Sequence, residues 1–260
     1  VKRFVSMDEA GEGILRVGRR MYERGFVAAN DGNISIRLSD DRLLVTPAGV
    51  SKGFLRASDL VVADMRGERV SGKLNPTSEV KMHIRAYELR NDVAAVVHAH
   101  PPYATAYAVA GIPLTECILP EVIVSLGSIP LARYGTPSTD EIPRSIESVV
   151  TRSDAFLLEN HGVMTVGPDV MNAYHKLETV EHFAKISFIA RHLGSVSSLG
   201  SDEVRKLVDL RARMGITGAY PGCEESDTCG ATPAADKDML VKTIVDEVVR
   251  ILKEGKNALD

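Results

Sequence analysis

The sequence predicts an α/β fold, on three observations. Helical and strand periodicities alternate along most of the chain. Two pairs of short strands are separated only by polar turns and read as hairpins, and Val93 to His100 reads as a buried strand set between helices. With 260 residues, 44% hydrophobic and 25% charged, the chain can bury a full core in one domain or at most two, which excludes a disordered tail protein.

The elements follow in order. From Asp8 to Gly25, Ala10, Ile14, Val17 and Met21 recur at three- and four-residue steps, with Asp8 placed to cap the helix and Gly25 to stop it. A small, polar loop (Ala28 to Asn33) leads to strands at Ile34–Leu38 and Leu43–Thr46 around the turn Ser39–Arg42. Asp59–Asp64 and Arg69–Ser71 form a second hairpin turned at Arg66–Gly67. Pro76-Thr77-Ser78-Glu79 opens a helix to about Arg90, with Thr77 or Ser78 able to cap it and Glu79 suited to its positive end. The buried strand ends at Pro101-Pro102. Helix Tyr103–Ala110, a β-rich stretch from Ile129 to Arg133, helix Asp140–Arg152 and strands Ala155–Glu159 and Val163–Val166 complete the middle. One long helix, Asp169–Leu193, and a shorter one, Asp202–Met214, follow. Gly215 to Asp236 has linker composition. Beyond it, over residues 237–260, Val241, Ile244, Val245, Val248 and Leu252 line one face of an amphipathic helix that must dock somewhere to be stable.

Charge narrows the partners. Lysine plus arginine number 31 against 35 acidic residues, a net charge of -4, so no global positive field attracts nucleic acid or acidic membranes. No apolar run approaches the ~20 residues of a membrane-spanning helix and the first residues lack a secretory pattern, so a soluble, cytoplasmic protein is expected. Three cysteines, an odd number, fit a reducing compartment better than a disulfide framework. Cys223 and Cys229 are open to three readings: a bridge, metal ligands or free thiols.

The chemistry gathers around three histidines. His98 and His100 alternate on a strand, so they project from one face about 7 Å apart at the backbone, close enough to grip one ion. His161, in Glu159-Asn160-His161-Gly162, follows a strand that can run alongside, and Gly162 allows a tight turn behind it. Three neutral imidazoles leave a zinc ion an open position for substrate, though cobalt, nickel or manganese also accept such ligands. His83 reads as an ordinary helix-face residue, and His175, His182 and His192 as structural or solvated positions on the long helix. Glu79 is the candidate acid/base, a carboxylate at a helix start that can be aimed at a metal-bound substrate. Asn33, Gly49, Thr77 and Ser78 lie in loops or at a helix start, where amides and hydroxyls suit a phosphate.

Gly32-Asn33-Ile34-Ser35, Thr46-Pro47-Ala48-Gly49, Pro76-Thr77-Ser78-Glu79, His98-Ala99-His100 and Asn160-His161-Gly162, in this order and spacing, resemble the class II aldolase/adducin family over about Asp8 to Met214. The resemblance implies a three-layer α/β/α fold with a central, largely antiparallel sheet, and a homotetramer with active sites at subunit interfaces. It implies that His98, His100 and His161 hold Zn2+, that Glu79 is the acid/base, and that Asn33, Gly49, Thr77 and Ser78 bind a substrate phosphate. The implied reaction is reversible aldol cleavage of a ketose 1-phosphate such as L-fuculose 1-phosphate to dihydroxyacetone phosphate and a small aldehyde such as lactaldehyde. Competing reactions on the same site are 4-epimerisation of a pentulose phosphate and cleavage of another sugar phosphate; a non-catalytic adducin-like binding module is the rival from outside enzymology.

Two departures stand out. The family's aldolases borrow a tyrosine from the neighbouring subunit to protonate the aldehyde oxygen, and Cys117-Ile118-Leu119-Pro120-Glu121-Val122 holds none; Tyr220 is a candidate replacement for a second, C-terminal tyrosine. Ala48 lacks the hydroxyl found at its position in the fuculose-phosphate enzymes. The linker and terminal helix resemble the encapsulation peptides that carry enzymes into bacterial microcompartments, where the apolar face meets a shell protein or another cargo; packing on the protein's own tetramer is the alternative.

Overall fold

The computed structural model describes residues 4–136, 139–194 and 196–222. The first helix, α1 (Met7–Glu23), is capped by Ser6 rather than Asp8. Ser6 Oγ accepts the Glu9 amide at 3.3 Å while the Glu9 carboxylate accepts the Ser6 amide at 3.0 Å, and Asp8 occupies the first turn, where negative charge suits the helix dipole. Its buried stripe is the expected one, Ala10, Ile14, Val17 and Met21, with the buried glycines Gly11, Gly13 and Gly18 between them letting neighbours approach.

The strands β1 (Asn33–Arg37) and β2 (Arg42–Val45) form the first hairpin, and β3 (Val61–Asp64) and β4 (Arg69–Ser71) the second. In the second turn Asp64 Oδ1 accepts the amides of Arg66 and Glu68, both at 2.9 Å, while Gly67 takes φ +85°. Next come α2 (Val80–Leu89), β5 (Ala95–Ala99), α3 (Pro102–Val109), α4 (Pro120–Ser125) and β6 (Leu131–Ala132). The expected helix over residues 140–152 forms as two short pieces, α5 (Glu141–Ser145) and α6 (Glu147–Val150), before β7 (Ala155–Leu158), β8 (Gly162–Gly167), α7 (Val170–Leu193) and α8 (Ser201–Arg213).

All eight strands form one sheet in the order β4-β3-β2-β1-β5-β8-β7-β6, antiparallel at every pairing except the parallel β6–β7 edge. Strand alternation divides the core between its two faces. On β5, Ala95, Val97 and Ala99 meet α1, α3 and α7, while Val96 joins Phe156, Met164 and Tyr87 beneath α2, α5 and α6. Three layers result, with a core on each side of the sheet. Each fully buried large apolar side chain, such as Ile14 or Phe156, stabilises by about 1.5–3 kcal/mol.

The compact fold continues past the expected boundary at residue 214. Tyr220 donates its hydroxyl to Ile123 O at 2.7 Å and lies beneath the Arg211 guanidinium, and the Ala219 amide reaches Asp154 at 3.2 Å. Arg211 cements this segment, donating to Val124 O and Ser125 O at 2.8 Å each. Residues 223–260, with Cys223, Cys229, the rest of the linker and the terminal helix, lie outside the described residues. Among the described residues no helix is long and apolar enough to cross a membrane.

Candidate active site

The sheet topology brings the predicted residues together. Both neighbours of β5 run antiparallel to it, so the starts of β1 and β8 meet its C-terminal end: Asn33 pairs with His98, and Ala99 with Val163. β5 stops at Ala99. The His100 amide leaves the ladder and donates to Phe26 O at 3.0 Å, because Pro101 and Pro102 turn the chain into α3. The β7–β8 connection is the three-residue loop Glu159-Asn160-His161, and here the turn is made differently from the expectation. Asn160 takes the left-handed conformation (φ +55°), which asparagine tolerates better than most residues. Gly162 is needed for space instead, since a Cβ there would lie 2.5 Å from Ala99 O and 2.6 Å from His100 Cδ2.

His98, His100 and His161 each offer a ring nitrogen, all within 4.8 Å of one another. His98 Nε2 and His100 Nε2 are 3.0 Å apart, close to the ~3.3 Å expected between two nitrogens bound to one tetrahedral zinc. Glu79 faces them: Oε2 is 3.4 Å from His98 Nε2 and Oε1 is 3.1 Å from His161 Nε2, while the Asn33 amide donates Nδ2 to Oε2 at 2.7 Å. Behind the rings, His98 Nδ1 donates to Val163 O at 2.9 Å and His100 Nδ1 faces the Asp31 carboxylate at 3.5 Å, leaving both Nε2 lone pairs turned inward.

Electrostatics agree with that geometry. Burial, reinforced by the neighbouring imidazoles, pushes His98 well below its ordinary pKa and lowers His100 as well, so both rings are neutral, as ligands must be. Burial by itself would raise the Glu79 carboxyl, but the facing His98 and His161 rings and the Asn33 amide outweigh it and hold the group well below the usual carboxylate range. Among the described residues His161 Nδ1 is buried without a hydrogen-bond partner, and Glu79 Oε1 faces only the His161 ring at 3.1 Å. Inward lone pairs on neutral imidazoles beside an ionised carboxylate form a donor set that a divalent cation fits.

A cavity of about 230 Å3 opens beside this cluster, with Asn33, Gly49, Thr77 and Ser78 in its wall. Two loops are stitched side by side to make it. Ala48 N donates to Asn75 O and Thr77 N to Thr46 O, both at 3.1 Å. Gly49 is exposed with φ +72°, Thr77 is buried, and its Oγ1 accepts the Glu79 amide at 3.4 Å. The expected cap by Thr77 or Ser78 does not form: Glu79 is itself the N-cap of α2, no side chain bonds the first free amides, and Thr77 holds only the Glu79 amide just before the helix.

Lys52 also lines the cavity, and the sequence reading missed it. It is 2% exposed, donates Nζ to Asn30 O and Val50 O at 2.8 and 2.7 Å, and pairs with no carboxylate among the described residues. Burial pushes it down to about 8 against the pull of Asp31 and Glu79. The available signal was a lysine within Val50-Ser51-Lys52-Gly53-Phe54, directly after a candidate phosphate loop. His175, His182 and His192 lie exposed along α7, as expected, and among the described residues no other histidine, cysteine or carboxylate cluster is arranged for a metal.

Residues 12–188 match the model of the class II aldolase and adducin N-terminal domain, and the chain belongs to that family. It is an enzyme of the lyase class, and class II aldolases are metal-dependent. Two relatives bear on its chemistry. An L-fuculose phosphate aldolase of Methanococcus maripaludis (strain S2) is 33% identical over 179 residues, covering 69% of this chain and 96% of that protein. A 3-oxo-tetronate 4-phosphate decarboxylase of Haemophilus influenzae is 32% identical over 204 residues, covering 77% and 92%. Among solved structures, an L-fuculose 1-phosphate aldolase superposes with a TM-score of 0.73 at 28% identity, covering 80% of this chain and 97% of that one.

Proposed function

We propose that this protein is a zinc-dependent aldolase that reversibly cleaves a ketose 1-phosphate, L-fuculose 1-phosphate or a close analogue, to dihydroxyacetone phosphate and a small aldehyde. The observation that carries the reading is the convergence of His98, His100, His161 and Glu79 on the cavity walled by the phosphate loops. When bound, the cation supplies a Lewis acid for the keto oxygen, taking up charge as the C3–C4 bond breaks. Gly49, Thr77, Ser78 and the second N–H of the Asn33 amide hold the phosphate, and the Lys52 charge behind them complements it. That anchorage sets which carbon lies beside Glu79. The electron pair of the broken bond stays on C3 while the C4 hydroxyl gives up its proton to become the aldehyde; Glu79, ionised at rest, takes up that proton through the solvent-open cavity and delivers it to C3, and in the synthetic direction the transfer runs in reverse.

One observation favours a second reading. The segment Cys117 to Val122 has no tyrosine for the aldehyde oxygen. Decarboxylation of a four-carbon 3-oxo acid 4-phosphate needs no such donor: the C1–C2 pair stays on C2 as carbon dioxide leaves, and Glu79 passes one proton taken up from solvent to C2 to give the same three-carbon product. Relatives carrying both names are about equally similar to this chain. The test is to supply the metal-loaded protein with each substrate and follow dihydroxyacetone phosphate and carbon dioxide, with Glu79→Gln and His98→Ala alongside. Product from L-fuculose 1-phosphate that both substitutions abolish supports the aldolase. Carbon dioxide release alone assigns the decarboxylase, and a metal-loaded protein inert to both refutes the pair.

The rest of the assignment is a cytoplasmic homotetramer whose catalytic domain takes in residues 1–214 and the packed segment through Tyr220, with the remainder of 215–236 as linker and 237–260 as a helix that docks on a microcompartment shell or cargo. Deleting residues 237–260 should leave activity intact and abolish co-sedimentation with shells; unchanged co-sedimentation refutes the docking role.

A further inference from the structure

The face of α2 that turns toward the sheet carries a buried polar chain ending at Glu79. The sequence reading puts His83 on an ordinary helix face, but the structure buries it completely between α2 and β1. Its Nε2 lies 2.5 Å from Asn33 Oδ1 and its Nδ1 2.7 Å from Ser35 Oγ. Ser35 Oγ is 2.8 Å from the Tyr87 hydroxyl, which also reaches Ser35 O at 3.0 Å. Asn33, Ser35, His83 and Tyr87 are each at most 3% exposed, so water does not compete for these bonds.

Only one proton order satisfies the chain. Asn33 presents Nδ2 to Glu79 at 2.7 Å and Oδ1 to His83, and an amide nitrogen only donates while its oxygen only accepts. His83 must then carry its proton on Nε2 and accept at Nδ1 from the Ser35 hydroxyl, while the single Tyr87 proton is shared between Ser35 O and Ser35 Oγ. Reversing the amide would set Asn33 Oδ1 against the Glu79 carboxylate and Nδ2 against the N–H of His83, with no solvent to relieve either clash.

Resting on the reading of Glu79 as the acid/base, we propose that His83, backed by Ser35 and Tyr87, is a positioning residue that locks the Asn33 amide so that Glu79 is held by an N–H and aimed at the reacting carbon. His83 contacts neither the three clustered histidines nor Gly49, Thr77 or Ser78, and reaches the site through Asn33. Its loss therefore acts chiefly on the proton step, weakens phosphate affinity only by the share that Asn33 supplies, and leaves metal content in place.

Proton removal from dihydroxyacetone phosphate is the half-reaction common to both chemistries above, so it tests the idea without knowledge of the second substrate. The metal-loaded full-length protein is placed with dihydroxyacetone phosphate in D2O, and loss of the hydroxymethyl proton signal is followed by NMR. His83→Phe should slow turnover roughly ten- to hundredfold, the scale of a hydrogen bond to a charged group, with KM rising by much less than turnover falls and metal content unchanged. His83→Gln, which can still donate to Asn33, should recover most of the rate. Exchange by His83→Phe at the wild-type rate, or a loss that glutamine does not relieve, overturns the proposal. Should His83→Phe lose its metal, Ser35→Ala keeps the ring and removes the hydroxyl proton that orders it: a severalfold slower rate supports the chain and an unchanged rate overturns it. A wild-type protein that holds metal but exchanges nothing overturns the functional reading and this inference together, whereas wild-type exchange with undiminished variants overturns this inference alone.

Discussion

Replacing His83 with phenylalanine should flatten the acid-stability profile of the protein. In the unfolded chain the imidazole takes up a proton near pH 6.5, whereas burial in the folded chain pushes it down to about 4, with Glu79 on the same helix pulling the other way. Between those values the unfolded state binds the proton and the folded state does not, so stability rises with pH. The contribution is complete above about pH 6.5 and lost as pH falls through about 4. The gap of about 2.5 units corresponds to about 3.4 kcal/mol when fully expressed, of which about 1.8 kcal/mol appears between pH 7 and pH 5. Urea unfolding at pH 7, 6 and 5, with wild type and variant carrying the same metal, measures it. The hydrogen bonds to Asn33 and Ser35 lost by the variant shift all its points equally and cancel, as do the titrations of His98 and His100. Equal losses from pH 7 to pH 5 in both proteins would refute the reasoning.

Gly162→Ala would force its Cβ to within 2.5 Å of a backbone oxygen and 2.6 Å of the His100 ring; displacement of that ring should weaken metal binding roughly 10–100-fold, and an unchanged affinity in chelator competition would count against it. Asp154→Ala strips the shared carboxylate from Arg90 and Lys176, each 2.7 Å away, and should cost about 3–5 kcal/mol in urea unfolding; a loss below about 1 kcal/mol would mean the two cations are solvated. Lys52→Met should weaken inorganic phosphate binding by calorimetry at least roughly tenfold with metal retained, and wild-type affinity would remove Lys52 from the phosphate pocket.

Local pattern made much of the fold readable. The stripe of α1, the two hairpins and the length of α7 follow from period and punctuation alone, and the pairing of His98 with His100 follows from strand alternation. The family motifs carried the rest of the cluster, because nothing local says that β8 lies beside β5 and so brings His161 to them. The polar interior was less legible. Lys52 and His83 look like surface residues in sequence, since their burial depends on acceptors supplied by segments about 20 and 50 residues away. The turn before β8 was misread for a related reason: glycine at 162 signals a bend, but its purpose is clearance from Ala99 and His100, a contact made across the sheet. The Ser6 cap was missed because Asp8 is also a good cap, and only the reciprocal bond with Glu9 decides between them.

The sheet order has a consequence for how the protein comes apart. The candidate ligands sit on β5, beside β8 and at the head of α2, while β4 and β6 lie at opposite margins of the sheet. A bound cation therefore acts as a rivet through the middle of the molecule. It joins segments more than sixty residues apart in the chain, His98 and His161 among them, and opposes any opening that separates β5 from β8. The margins gain nothing from it. Loading the metal should slow amide exchange at the centre of the sheet and leave the exposed strand β4 fraying at its former rate, so the same ion that serves chemistry would also divide the fold into a pinned interior and a loose rim.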